Sequence, residues 1–144
     1  MPTVRPRLTP PILWALLLAI ALPACGPTEP PEVRAFRETY QRLHNAGKAA
    51  ELYELIAFAP GVPPATRQHA RLALREETRW PLRRILIQPA TPEDLQNLLP
   101  KGATLPYPPE YTVTVTLDTD DRLTSQWLAG PTPQGLRLLL PALP

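Results

Sequence analysis

Residues 111–118 read Tyr111-Thr112-Val113-Thr114-Val115-Thr116-Leu117-Asp118, and no other stretch of this 144-residue chain alternates so strictly. Tyr111, Val113, Val115 and Leu117 fall on one side of an extended backbone, and the three threonines and Asp118 fall on the other. Side chains in a strand point alternately to opposite faces, so one face is buried and the other is wet or lines a polar cleft. Working forward, Thr119-Asp120-Asp121 has turn chemistry and residues 122–129 supply an antiparallel partner. Residues 130–135 form a second turn and residues 136–140 a last strand. Working backward, Arg84-Ile85-Leu86-Ile87-Gln88 is a short β-branched run ended by Pro89, which predicts a further strand.

Upstream the period changes. Val33, Phe36, Tyr40 and Leu43 recur at spacings of three and four, the signature of one face of an amphipathic helix. Asn45-Ala46-Gly47 closes it, with Gly47 suited to a left-handed position. A second helix follows through Ala49, Leu52, Tyr53 and Ile56, ended by Pro60-Gly61. A third starts near Pro64 and stops at Pro81. On its wheel Ala65, Leu72, Ala73 and Trp80 cluster, while Arg67, Arg71, Arg75 and Arg79 form a drifting stripe that faces water or greets anionic groups. Thr91-Pro92-Glu93-Asp94 starts a short helix to about Leu99, with Thr91 as its cap. Residues 100–109, with four prolines and Gly102, form a long irregular connection. Helices first and antiparallel strands afterward predict an α+β domain, with N-terminal helices packed on a curved antiparallel sheet of three to four strands.

The N-terminus carries different information. Arg5 and Arg7 precede an apolar run at residues 12–22, followed by Leu22-Pro23-Ala24-Cys25-Gly26. Eleven apolar residues are too few for a helix that must cross about 30 Å of hydrocarbon, but they fit a cleaved signal helix. The run resembles the lipobox of bacterial lipoproteins, with Cys25, the sole cysteine, as acceptor. That resemblance implies a leader at residues 1–24, a lipidated Cys25 with a proline-rich tether at 25–31, and a single domain at 32–144. It implies that the thiol takes a diacylglyceryl group and that the new amine is acylated, so several chains hold the protein to a membrane. An aspartate after the cysteine often retains such proteins at the inner membrane. Gly26 in that place leans toward the outer membrane, with the domain facing the periplasm or cell exterior. An ordinary cleaved signal with an incidental cysteine is the alternative.

Fifteen Lys and Arg face thirteen Asp and Glu, and Arg5 and Arg7 belong to the leader, so the mature chain is close to neutral. A nucleic-acid binder would carry a clear basic excess, and that partner class is disfavoured. One cysteine permits no internal disulfide. There is no Gly-x-Ser-x-Gly elbow, no glycine-rich phosphate loop and no free thiol nucleophile. His44 and His69 are the only histidines, too far apart in sequence to suggest a metal site. No cofactor or metal is expected.

The order helix, helix, helix, strand, short helix, meander, together with the segment HNAGKAAELYELI, resembles the nuclear transport factor two superfamily, also called cystatin-like or SnoaL-like. The resemblance implies a cone whose helices and curled sheet surround a pocket. Enzymes of that family commonly use an aspartate with a histidine or tyrosine there. Here Ala57-Phe58-Ala59-Pro60 stands where an acid would follow the second helix, so the catalytic set does not transfer. The candidate binding residues are Tyr40, His44, Tyr53, His69, Glu76 and Trp127. His69 and Glu76, read as facing inward two turns apart, would make an acid-base pair with one tyrosine. Trp127 and Tyr111 on adjacent strands form either a stacking wall or plain core. Three functions stay open. The first is a non-catalytic binding or scaffold module for an envelope protein, a glycan or a small apolar ligand. The second is an enzyme with a cone-fold His/Glu/Tyr pocket. The third is a membrane-proximal structural protein using its arginine-rich helix face.

Overall fold

The computed structural model describes residues 28–144; the leader, Cys25 and the first residues of the tether lie outside the described residues. The order is α1 (Pro31–Asn45), α2 (Ala49–Tyr53), β1 (Ile56–Phe58), α3 (Pro64–Glu77), β2 (Leu82–Pro89), α4 (Pro92–Leu98), β3 (Tyr111–Leu117), β4 (Thr124–Thr132) and β5 (Gly135–Leu140). The strands form one sheet in the order β1-β5-β4-β3-β2. Strands β2 to β5 are an antiparallel meander, and β1 adds to the edge parallel to β5, pairing Ile56 with Leu138 and Phe58 with Leu140. The protein is α+β, with helices packed against a mixed sheet of five strands.

Two expectations are thereby corrected. The sheet has five strands rather than three or four, and it is not wholly antiparallel. Ile56, read as the last apolar position of the second helix, opens β1 instead, because α2 stops at Tyr53. Spacing alone cannot separate these outcomes, since Ala49, Leu52, Tyr53 and Ile56 satisfy a helical period whether or not the last turn forms. Pairing with β5 decides it.

Local chemistry explains the ends of the elements. After α1 the amide of Gly47 donates to the His44 carbonyl and that of Lys48 to the Leu43 carbonyl, with Gly47 at φ 68°. This pair of bonds satisfies two orphan carbonyls and needs a left-handed residue, which glycine supplies without a Cβ clash. At α4 the Thr91 hydroxyl accepts from the Asp94 amide at 3.1 Å while the Asp94 carboxylate accepts from the Thr91 amide at 2.8 Å, a reciprocal cap.

The core lies between the helices and one sheet face. Val33, Phe36, Tyr40 and Leu43 of α1 and Ala70 and Leu74 of α3 pack with Ile85, Val113, Val115, Ala129 and Leu138 in one cluster. Register places Val113 opposite Trp127 and Ile87, and Val115 opposite Ser125 and Ile85, so these rows share the helix-covered face. On the other face Thr112, Leu128 and Leu139 are opposite one another and buried. Helix α4 packs on β4 near them, and the proline-rich connection comes so close that a Cβ on Gly130 would lie 2.2 Å from the Pro108 carbonyl oxygen. Only glycine fits there without moving that backbone.

Candidate functional site

The inward face of α3 is the stripe Ala70, Leu74 and Glu77, at spacings of four and three. The apolar positions Leu72, Ala73 and Trp80 are exposed, Leu72 by 51 % and Trp80 by 45 %. The stripe therefore carries a carboxylate into the protein and leaves the apolar cluster of Ala65, Leu72, Ala73 and Trp80 outside.

Glu77 is the hub of a polar corner built by three elements. Its side chain is 10 % exposed. Tyr40 on α1, fully buried, donates its hydroxyl to Oε1 at 2.5 Å, and Ser125 on β4 donates to Oε2 at 3.2 Å. One turn after Tyr40, the His44 ring lies stacked 6.2 Å from the Tyr40 ring, with Nε2 3.9 Å from Oε1. That distance is too long for a hydrogen bond, and His44 Nε2 is buried with no partner among the described residues. Burial pushes the Tyr40 phenol far above its ordinary range, and the neighbouring carboxylate adds to the rise. His44 is pulled the opposite way. Burial lowers it, and Glu77 offsets only part of that, so the ring is neutral near pH 7.

Outside Glu77 the surface opens into a groove of about 280 Å³ lined by Ala73, Glu76, Trp80, Leu117, Leu123 and Thr124, with Glu77 and Ser125 at its floor. Two local devices hold its rim. Tight turns after α3, with the Arg79 amide on the Glu76 carbonyl and the Trp80 amide on the Glu77 carbonyl, bring the indole beside the groove. The β3–β4 loop, which brings Leu123 into the same lining, places Arg122 at φ 48°, a conformation costly for a non-glycine residue, and leaves Leu123 53 % exposed. The Thr119 hydroxyl accepts from the Leu123 amide, and the Asp118 amide donates to the Pro81 carbonyl, tying the loop to the segment after Trp80.

The candidates read from sequence divide accordingly. Tyr40 and His44 come together in the polar corner. Glu76 does not: it is exposed and pairs with Arg79 at 3.0 Å. His69 is exposed on α3, so the inward His69–Glu76 pair is corrected, since a helix residue two turns from an exposed one shares its solvent side. Tyr53 sits elsewhere, with its ring 5.2 Å from Phe58 and the Arg71 guanidinium 4.7 Å above it. Arg67 covers Phe58 in the same manner. Trp127 and Tyr111 are half-buried against the main core, and the indole nitrogen of Trp127 is buried without a partner among the described residues. Glu77, Ser125, Trp80 and Leu123 were missed as a site. The available signal was Glu77 itself, seven residues after Ala70 and three after Leu74 on the inward stripe.

No family model, curated protein or solved structure matches this chain. Among the described residues no three of His, Cys, Asp and Glu gather as a metal site, and no helix is long and apolar enough to cross a membrane.

Proposed function

We propose that this protein is an exported lipoprotein, anchored through Cys25, whose domain is a non-catalytic binding module that takes a small ligand in the groove lined by Trp80 and Leu123. The observation that carries the reading is a large aromatic and a large aliphatic side chain held half-exposed in the lining of a groove that a nearly buried carboxylate also lines. Exposing such side chains forgoes the stabilisation of burying them, about 1.5–3 kcal/mol each, and ligand sites combine apolar walls with a few placed polar groups.

Catalysis is less well supported. A general acid or base has to reach the substrate, yet Tyr40 and His44 are sealed beneath Glu77, and the phenol is held far from any useful protonation range. The order of helices, short helix and meander supports kinship with the nuclear transport factor two superfamily, with β1 as an addition beside β5. The tether reading rests on the lipobox. A spacer of residues 26–30 reaches at most about 18 Å, which would keep the groove near the bilayer surface.

Two measurements test the proposal. Labelled palmitate should enter the wild-type protein, and Cys25→Ser should leave the membrane fraction; unlabelled wild type, or a serine variant still sedimenting with membranes, overturns the anchor. The neutral apolar dye N-phenyl-1-naphthylamine should brighten on binding the wild type and do so far less with Leu123→Asp. Equal brightening by both removes the groove from the account.

A further inference from the structure

The groove's floor is electrically one-sided. Glu77 accepts from two neutral hydroxyls, Tyr40 and Ser125. A carboxylate offers about four acceptor sites, so two remain. Among the described residues no Lys or Arg lies within ion-pair distance of it, and the one nearby titratable base, His44, is held neutral by burial. A charge so enclosed is costly unless a partner compensates it. The side facing the groove is where a partner can arrive.

The surroundings favour the same sign. The adjoining depression shares Trp80 and Leu123 with the groove and is lined by Asp118, Asp120 and Asp121. Among the described residues no Lys or Arg lines either hollow; Arg79 is held by Glu76 at 3.0 Å, Arg83 faces Asp118 at 3.5 Å, and Arg122 precedes Leu123 in the loop. Glu76, Glu77 and the three aspartates thus outnumber these three arginines. Trp80 adds a second attraction, because an indole face draws a cation.

We infer that the groove's ligand is a small organic ammonium: an apolar body against Trp80 and Leu123, and a protonated amine set against Glu77. The inference rests on the groove being a binding site and adds its charge preference. At about 280 Å³ the space is just below the roughly 300 Å³ at which ordinary ligand cavities begin, so the body is no larger than two or three rings.

The test uses three probes of one shape and different charge: benzylammonium, benzyl alcohol and benzoate. The full chain is held in phosphatidylcholine nanodiscs with empty discs as reference, and the Trp80 indole resonance is followed by NMR titration at pH 7. Benzylammonium should bind about tenfold or more tighter than benzoate, with the alcohol between them. Glu77→Gln should erase the difference between amine and alcohol while the alcohol's own affinity holds. Should that variant unfold, Trp80→Leu, altered only at an exposed site and followed through the Leu123 methyl resonances instead, should weaken the amine more than the alcohol. If the alcohol or benzoate matches the amine in the wild type, the charge preference is wrong and the groove stands. If no probe moves the Trp80 resonance, groove and preference fall together.

Discussion

Glu77 and Asp94 do the same chemistry in opposite settings. Each carboxylate accepts from hydroxyl groups, yet Asp94 takes its hydrogen bonds from Thr91, three residues away on an exposed helix end, whereas Glu77 takes them from Tyr40 and Ser125, which are 37 and 48 residues distant. The first closes one turn of α4. The second joins α1, α3 and β4, and so fixes how the helix layer sits on the sheet. An enclosed polar group is worth most by what its removal leaves stranded, while an exposed one falls back on water.

The largest separation between the two should come from Tyr40→Ala. The ring is fully buried between Phe36 and His44, and its loss opens a cavity while stripping Glu77 of its shorter hydrogen bond, for a cost of about 3–5 kcal/mol in urea unfolding. Tyr40→Phe keeps the ring and isolates the hydroxyl, at about 1–3 kcal/mol because Glu77 loses a buried donor. Adding Glu77→Leu to Tyr40→Phe should recover part of that loss, since two apolar neighbours strand nothing. A double variant that shows simple addition would break the view of Glu77 as a joint between layers.

This contrast also explains what could be read from the sequence. Thr91-Pro92-Glu93-Asp94 announced its helix because donor and acceptor lie within one turn, and Gly47 did so because the need for a positive φ is local. The alternation at residues 111–117 announced β3, since one buried face imposes a period of two. β1 escaped because three residues carry no period, and its partner β5 comes some eighty residues later. The site was half legible for a similar reason. Tyr40 and His44 lie on the apolar stripe of α1, but choosing Glu76 over Glu77 put the carboxylate about 100° around the helix. The burial of Ala70 and Leu74 in the core tells the two apart, because Glu77 continues their stripe and Glu76 does not.

A smaller effect belongs to the local cap. Thr91→Ala should cost about 1 kcal/mol, and hydrogen exchange should place the loss in α4 alone, leaving protection of β3 and β4 unchanged. Faster exchange spreading into the central strands would mean that α4 is coupled to the core as tightly as the Glu77 corner, and the contrast would lose its meaning.

The faintest signature is a pair of pH slopes. Asp94 is held below its usual value by the Thr91 amide first and the hydroxyl second, so its share of stability is present above the ordinary carboxyl value and is lost as pH falls through the lowered one. His44 is also lowered, but by burial. Below its ordinary value of 6.5 the unfolded chain binds a proton that the folded protein refuses, so the His44 share is complete above that value and drains away as pH falls, ending once the lowered folded value is passed. Two windows follow, one near the neutral side of acid and one well below it. Denaturant midpoints of the wild type should decline from about pH 6.5 downward. His44→Phe should flatten that upper decline and keep the lower one, while Asp94→Asn should do the converse. If His44→Phe leaves the upper slope intact, another group drives it, and the corner beneath Glu77 is wetter than its enclosure by Tyr40 and Ser125 implies.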